Sequence, residues 1–498
     1  MTAKILHASR RVAAWLGSRL AWRIILGLFL LEALWLVFSA RYPMAFDENY
    51  HFGLIQLHAR QWVPFFTAQP HNAAVYGEVV RDPSYLYHWL MSFPYRLISA
   101  ITSNQAAQVI FLRLINVGIF ALGLELYRRV FKRIGVSSSL TNSLFALLIL
   151  VPVVPFLAAH INYDNLFFTA VALTTLLAAK LLASFRTSKV DVQTGMVLLA
   201  TLFLSSLIKY PFLPIAVVTG LFIIWQGWRD GLITKKGWLK VVKNFHALSR
   251  ARSIALIALV LLSFGLFTER YVANVITYHD PVPACDAVIS QDECALYGPY
   301  GRDHILAQQK PADFHPKLLT YIHEWLYGMW YRLFFAVNYD YATAPPLTVI
   351  SYTAVGLLVS MVLGMLLQFR YLFRGQPTRQ LMLGVMVGYT LVLFLNGFTS
   401  YAKTAQPVAI NGRYLIPFLP FLFALGGLAW AQMLRKWPVS KTALATVVIA
   451  AFLLQGGGAM TFIIRSGDTW MWDNNAVRAT NRVVRSAAWP FIPYKDRL

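Results

Sequence analysis

The sequence predicts an all-α polytopic membrane protein with about eleven transmembrane helices, and three observations carry that prediction. Of its 498 residues 58% are hydrophobic and only 13% are charged, whereas soluble proteins carry roughly a quarter charged residues. The apolar residues arrive in blocks of about 18 to 22, the length that crosses a bilayer core. A formal net charge of +23 is concentrated between alternate blocks. These features exclude a water-soluble globule, a disordered chain and a collagen-like one.

Along the chain the blocks fall at 23–40, 106–126, 139–159, 165–183, 193–208, 211–227, 253–270, 347–368, 380–398, 412–433 and 442–464. The first is too long for a signal-peptide core and lacks a small-residue cleavage site, so it reads as an anchor. The blocks at 193–208 and 211–227 are short and separated only by Lys209-Tyr210. They form a tight hairpin or one broken helix, which sets the count at about ten to twelve.

The loops decide the meaning of the charge. The N-terminus and the segments 127–138, 184–192, 227–252, 369–380 and 434–441 hold about 24 Lys and Arg, against Asp191 and Asp230 alone. Cytoplasmic loops accumulate Lys and Arg in this way. The N-terminus is therefore expected in the cytoplasm and the C-terminus outside. Basic runs such as Arg128-Arg129 and Lys235-Lys236 read as headgroup-facing surfaces, and nucleic acid is not an expected partner.

Two outer loops are long, 41–105 and 271–346. The first carries amphipathic stretches from Glu48 to Trp62 and from Ser84 to Ile101, expected as juxtamembrane helices at headgroup level. The second holds the only cysteines, Cys285 and Cys294, on the side where a disulfide is favoured. The expected organisation is a transmembrane module over 1–270 that includes the outer loop 41–105, an outer loop over 271–346, C-terminal transmembrane helices over 347–464 and a short outer tail over 465–498. That tail, with Trp470, Trp472 and Trp489, is expected on the outer surface.

The stretch richest in chemistry follows the first span, Tyr42-Pro43-Met44-Ala45-Phe46-Asp47-Glu48-Asn49-Tyr50-His51. One reading is a helix start, with Asp47 as N-cap and Glu48 in the first turn complementing the dipole. The other is a site. His51 follows Asp47 by four residues and Glu48 by three, so all three can share one helical face as a general base or a metal site.

In this order and topology the chain resembles the C-type (GT-C) integral-membrane glycosyltransferases. The resemblance includes the protein O-mannosyltransferase and aminoarabinose-transferase branches, and lies nearest to uncharacterised bacterial multi-pass members. It rests on Asp47-Glu48-x-x-His51, Pro83-Ser84-Tyr85-Leu86-Tyr87-His88, Arg113-Leu114-Ile115-Asn116, Asn162-Tyr163-Asp164, Ile208-Lys209-Tyr210 and Gly412-Arg413-Tyr414-Leu415-Ile416-Pro417. The resemblance runs from about residue 20 to 435.

The resemblance implies sugar transfer from a polyprenyl-phosphate donor to an outer-face lipid, glycan or protein, within a plasma (inner) membrane. Asp47 would be the general base of an inverting reaction, with Glu48 and His51 beside it. Glu48 or Asp164 would orient the acceptor or hold a divalent metal. Lys209 and Arg413 would bind the donor phosphate, with Tyr210 or Tyr414 beside the prenyl chain. Tyr87, His88 and Arg113 would orient the acceptor. Mg or Mn is the cofactor the pattern admits, on Glu48 and Asp164, although the first outer loop lacks an Asp-x-Asp pair, which favours metal-free catalysis.

Two other classes stand beside this one. A transporter or lipid flippase would show repeat halves and midplane charges, and no internal repeat is visible. A ligase moving whole lipid-linked glycans would use Arg302, His304 and His315 of the second outer loop.

Overall fold

The computed structural model describes residues 2–185, 187, 189–232, 234–335, 338–339, 342–343, 348–454, 457–458, 462 and 468–488. The chain is an all-helical polytopic membrane protein. Among the described residues seven helices are long and apolar enough to cross a membrane: Arg19–Ser39, Gln105–Arg133, Tyr163–Phe185, Tyr210–Arg229, Arg250–Tyr278, Pro377–Thr404 and Gly412–Met433. Four shorter apolar helices, Ser138–Ile149, Val192–Ser206, Thr353–Leu367 and Lys441–Ala451, fill the other expected blocks. Strand structure among the described residues is confined to a two-stranded hairpin, Asn338–Tyr339 with Ala342–Thr343.

The bundle is centred on Tyr163–Phe185 and Gly412–Met433, its most buried spans, whereas Arg250–Tyr278 lies at the periphery. Phe168 stacks on Phe120 of the second span at 4.1 Å between centroids, and Tyr127 of that span donates to the Pro417 carbonyl. The expected block 139–159 breaks at Leu150-Val151-Pro152 and resumes as Val153–Ala158. Proline supplies no amide to continue the helical ladder. Between Ser206 and Leu213 the chain also leaves the helix, through extended Lys209 and a 3-10 turn at Tyr210–Phe212. The two short blocks are thus separate helices.

The first long loop forms the helices Glu48–His58 and Leu86–Ile101. Cys285 and Cys294 are disulfide-bonded, and Tyr297 just beyond them packs on Tyr50 of the first loop, 5.9 Å between centroids. The C-terminal tail does more than lie on the surface. Arg41 N donates to Trp470 O at 2.9 Å and Trp472 N to Ser39 O at 3.0 Å, around an antiparallel bridge between Ala40 and Met471. The tail therefore braces the backbone that leads into Asp47. Trp489 lies outside the described residues.

Candidate active site

Two successive non-glycine residues, Phe46 (φ 64°) and Asp47 (φ 63°), lie in the left-handed region. Such residues cost about 1–3 kcal/mol each and persist only where the surroundings hold them. Asn162 Nδ2 donates to the Phe46 carbonyl at 2.8 Å. Below the turn, Glu48 is fully buried and bidentate to Arg113, with Nε–Oε1 at 2.8 Å and Nη2–Oε2 at 2.7 Å. It also accepts from Met44 N at 2.8 Å and Ile161 N at 3.2 Å. Burial alone would raise this carboxyl, but the charge and hydrogen bonds of Arg113, with smaller help from His160 and the Met44 amide, hold it below its ordinary value. Glu48 and Arg113 thus tie the start of the loop helix to the second span.

Asp47 occupies the N-cap position without making a side-chain cap, because its left-handed backbone turns the carboxylate elsewhere. Oδ2 meets Arg413 Nη2 at 2.7 Å, and the Asp47 side chain stays 58% exposed while Arg413 is 5% exposed. Arg413 in turn faces Asp164, Nε to Oδ2 at 3.5 Å. Lys209 Nζ lies 2.5 Å from Asp164 Oδ1. The four groups form a run of alternating charge, Asp47–Arg413–Asp164–Lys209, with an accessible carboxylate at one end.

Local structure sets each member. Asn411 Oδ1 caps the Arg413 amide at 3.1 Å. A Cβ at Gly412 would lie 2.1 Å from Leu333 N and 2.3 Å from Met329 O, so only glycine lets this turn press against the helix Leu318–Phe335. Asn162 Oδ1 accepts from Asp164 N at 2.8 Å. Lys209 sits in the helix break with its ammonium 4.5 Å from the ring centres of both Tyr163 and Tyr414.

His51 turns from the carboxylates toward His88. Their rings are nearly parallel, 5.2 Å apart, with His51 Nδ1 to His88 Nε2 at 2.9 Å and His88 Nδ1 to Ser84 O at 3.2 Å. The Ser84 carbonyl can only accept, so His88 carries its proton on Nδ1 and His51 donates from its own Nδ1. Burial, then Arg413, Lys209 and His160, hold His51 well below the usual imidazole range. His88 is lowered by burial and its histidine neighbours. Tyr87 donates to Asn116 Oδ1 at 2.9 Å, deep in the bundle.

A cavity of about 90 Å³ opens beside Lys209, lined by Tyr163, Tyr210, Tyr389, Tyr414 and Trp325. Trp325 also borders an apolar groove of about 440 Å³ walled by Met386, Phe394, Phe418 and Leu422. Glu48 and Asp164 each face basic side chains and do not form an open carboxylate pair for a divalent cation. Among the described residues no group of three or more His, Cys, Asp and Glu could hold a metal. Arg302 pairs with Asp303 and His304 with Gln308 on an exposed helix, and His315 is exposed. These three residues are not part of the charge run.

No family model matches the chain, and no curated protein matches it. Two solved structures of ArnT from Cupriavidus metallidurans are similar to it. One, bound to undecaprenyl phosphate, shares 15% identity over 95% of this chain and 70% of its own, with a TM-score of 0.48. The other, in the apo state, shares 14% over 94% and 69%, with a TM-score of 0.47.

Sequence reasoning passed over Tyr163, Tyr389 and Trp325, which line the cavity. Tyr163 carried a signal, lying inside the Asn162–Asp164 motif. Tyr389 and Trp325 carried none, because aromatic residues in spans and loops are ordinary.

Proposed function

We propose that the chain transfers a sugar from a polyprenyl-phosphate donor to an acceptor on the outer face of the membrane. The observation that carries this reading is the charge run from exposed Asp47 to buried Lys209, beside a cavity that shares Trp325 with an apolar groove. Motif order supports it, since the residues in the run come from four of the segments that resemble the C-type glycosyltransferases.

In the proposed reaction the acceptor hydroxyl gives its proton to the Asp47 carboxylate as its oxygen bonds the anomeric carbon. The bond from that carbon to the phosphate oxygen breaks, and polyprenyl phosphate leaves with inverted configuration on the sugar. Lys209 and Arg413 stabilise the charge that develops on the leaving phosphate. The prenyl chain lies in the groove past Trp325. Arg413 bonds Asp47 directly, which holds the base in place. Glu48 and Arg113 fix the turn and take no proton. No step runs through a metal.

The test uses purified protein in nanodiscs with labelled undecaprenyl-phosphate sugars. Slow donor hydrolysis is expected, abolished in Asp47→Asn with donor affinity retained. Lys209→Ala is expected to weaken donor binding by at least about tenfold, a loss of about 1.4 kcal/mol. Movement of label across the membrane without bond cleavage would point to a flippase and sink the proposal.

A further inference from the structure

A second recess lies against the helix Glu48–His58, which Asp47 precedes, and is used by nothing above. It encloses about 360 Å³ between the helix Glu48–His58, the turn Ala74–Tyr76 and the start of the second span. That is within the roughly 300–1,000 Å³ of small-molecule sites. Its polar lining consists of the amides Asn49, Gln56 and Gln105 and the phenols Tyr42, Tyr50 and Tyr76, and among the described residues no charged side chain lines it.

The recess lies close in the chain to the base. Asn49 follows Asp47 by two residues, which keeps their Cα atoms within about 7.6 Å, and Tyr42 stands just upstream of the same turn. The recess shares no lining residue with the cavity at Lys209. The cavity at Lys209 is cationic, whereas the recess is polar and lined by no charge among the described residues.

Gly53 forms its floor. A glycine inside a helix costs about 0.5–1 kcal/mol relative to alanine. Here a Cβ would lie 2.0 Å from Tyr76 Oη and 2.5 Å from Tyr76 Cζ, so glycine is what lets the Tyr76 ring lie against the helix. Tyr50 meets that ring edge-on at 5.9 Å, and Gln56 Nε2 is fixed by donating to Tyr95 Oη at 3.1 Å.

Amides and phenols offer both donors and acceptors, and ring faces pack on the C–H faces of pyranoses. A phosphate or a carboxylate would lose its water here and gain no cation in return. We propose that this recess is the acceptor subsite and that it takes an uncharged saccharide.

This inference rests on the glycosyl-transfer reading and names its acceptor class. The test is saturation-transfer NMR on the full chain in nanodiscs, with methyl α-mannopyranoside, methyl β-galactopyranoside and N-acetylglucosamine as neutral probes. Glucuronate, glycerol phosphate and a Ser/Thr peptide serve as comparators. At least one neutral probe is expected to receive transfer at least about fivefold above every comparator. That signal is expected to fall at least about fivefold in Gln105→Leu and in Gly53→Ala, while Gln105→Leu binds undecaprenyl phosphate as wild type does. Absence of transfer to every neutral probe, a comparator signal as strong, or an unchanged signal in both variants overturns the assignment. If undecaprenyl phosphate binds and the sugars do not, only the recess assignment falls. If the sugars bind through Gln105 and undecaprenyl phosphate does not, the glycosyl-transfer reading falls instead.

Discussion

Asp47 and Glu48 are neighbours in the chain and end in opposite surroundings. Glu48 is sealed against Arg113, while Asp47 reaches solvent with one cation beside it. A buried ion pair that loses one partner costs about 3–5 kcal/mol, because the other charge is left unpaired. Arg113→Met is therefore expected to lower the thermal midpoint in detergent severely. Adding Glu48→Gln should restore only part of it, since a neutral amide accepts more weakly from Met44 N and Ile161 N. Additive losses in the double variant would argue against the coupling. Asp47→Asn should behave differently, with the thermal midpoint close to that of wild type and turnover reduced by about 100- to 10,000-fold. Parallel loss of stability and activity would make Asp47 a structural residue.

Glu78 of the first outer loop lies within the field of Asp286 in the disulfide-closed segment. Glu78 is pushed up to about 7 by burial first and then by Asp82. Its folded value lies above the 4.5 of a free carboxyl, so the folded chain holds this proton more tightly than the unfolded one. The stability it supports is fully present below about 4.5 and is lost as pH rises through about 7. Glu78→Gln is accordingly expected to raise the thermal midpoint at pH 8 and to match wild type near pH 4.5. A gain that is the same at both pH values would remove Glu78 as the cause. The buried histidines act with the opposite sign. Burial lowers His58 to about 3 and His160 to about 4. Their contribution is full above the 6.5 of a free imidazole and is lost as pH falls toward those values.

At the scale of the molecule, the charge asymmetry gives a test of orientation. A cysteine at exposed Gln309 should react with a membrane-impermeant maleimide on intact cells, and one at exposed Lys236 only after permeabilisation. The reverse pattern would invert the topology and put Asp47 on the wrong face for an outer acceptor.

The sequence alone determined the number and order of the apolar helices, the two loop helices and the short list of polar residues worth attention. Those properties are local: block length, helical spacing and the cost of charge in a bilayer are written in consecutive residues. It also placed Arg113 within a span, where a guanidinium requires a partner. The tertiary structure decided which partner that was, 65 residues away at Glu48, and that Arg413 comes from 366 residues beyond Asp47. It separated His51 from the carboxylates, bent Asp47 out of its capping geometry, and brought the tail against the backbone that leads to the site. None of these follows from spacing. Each depends on which buried polar groups can satisfy one another once the helices have packed, a condition set by the whole bundle and not by any one segment.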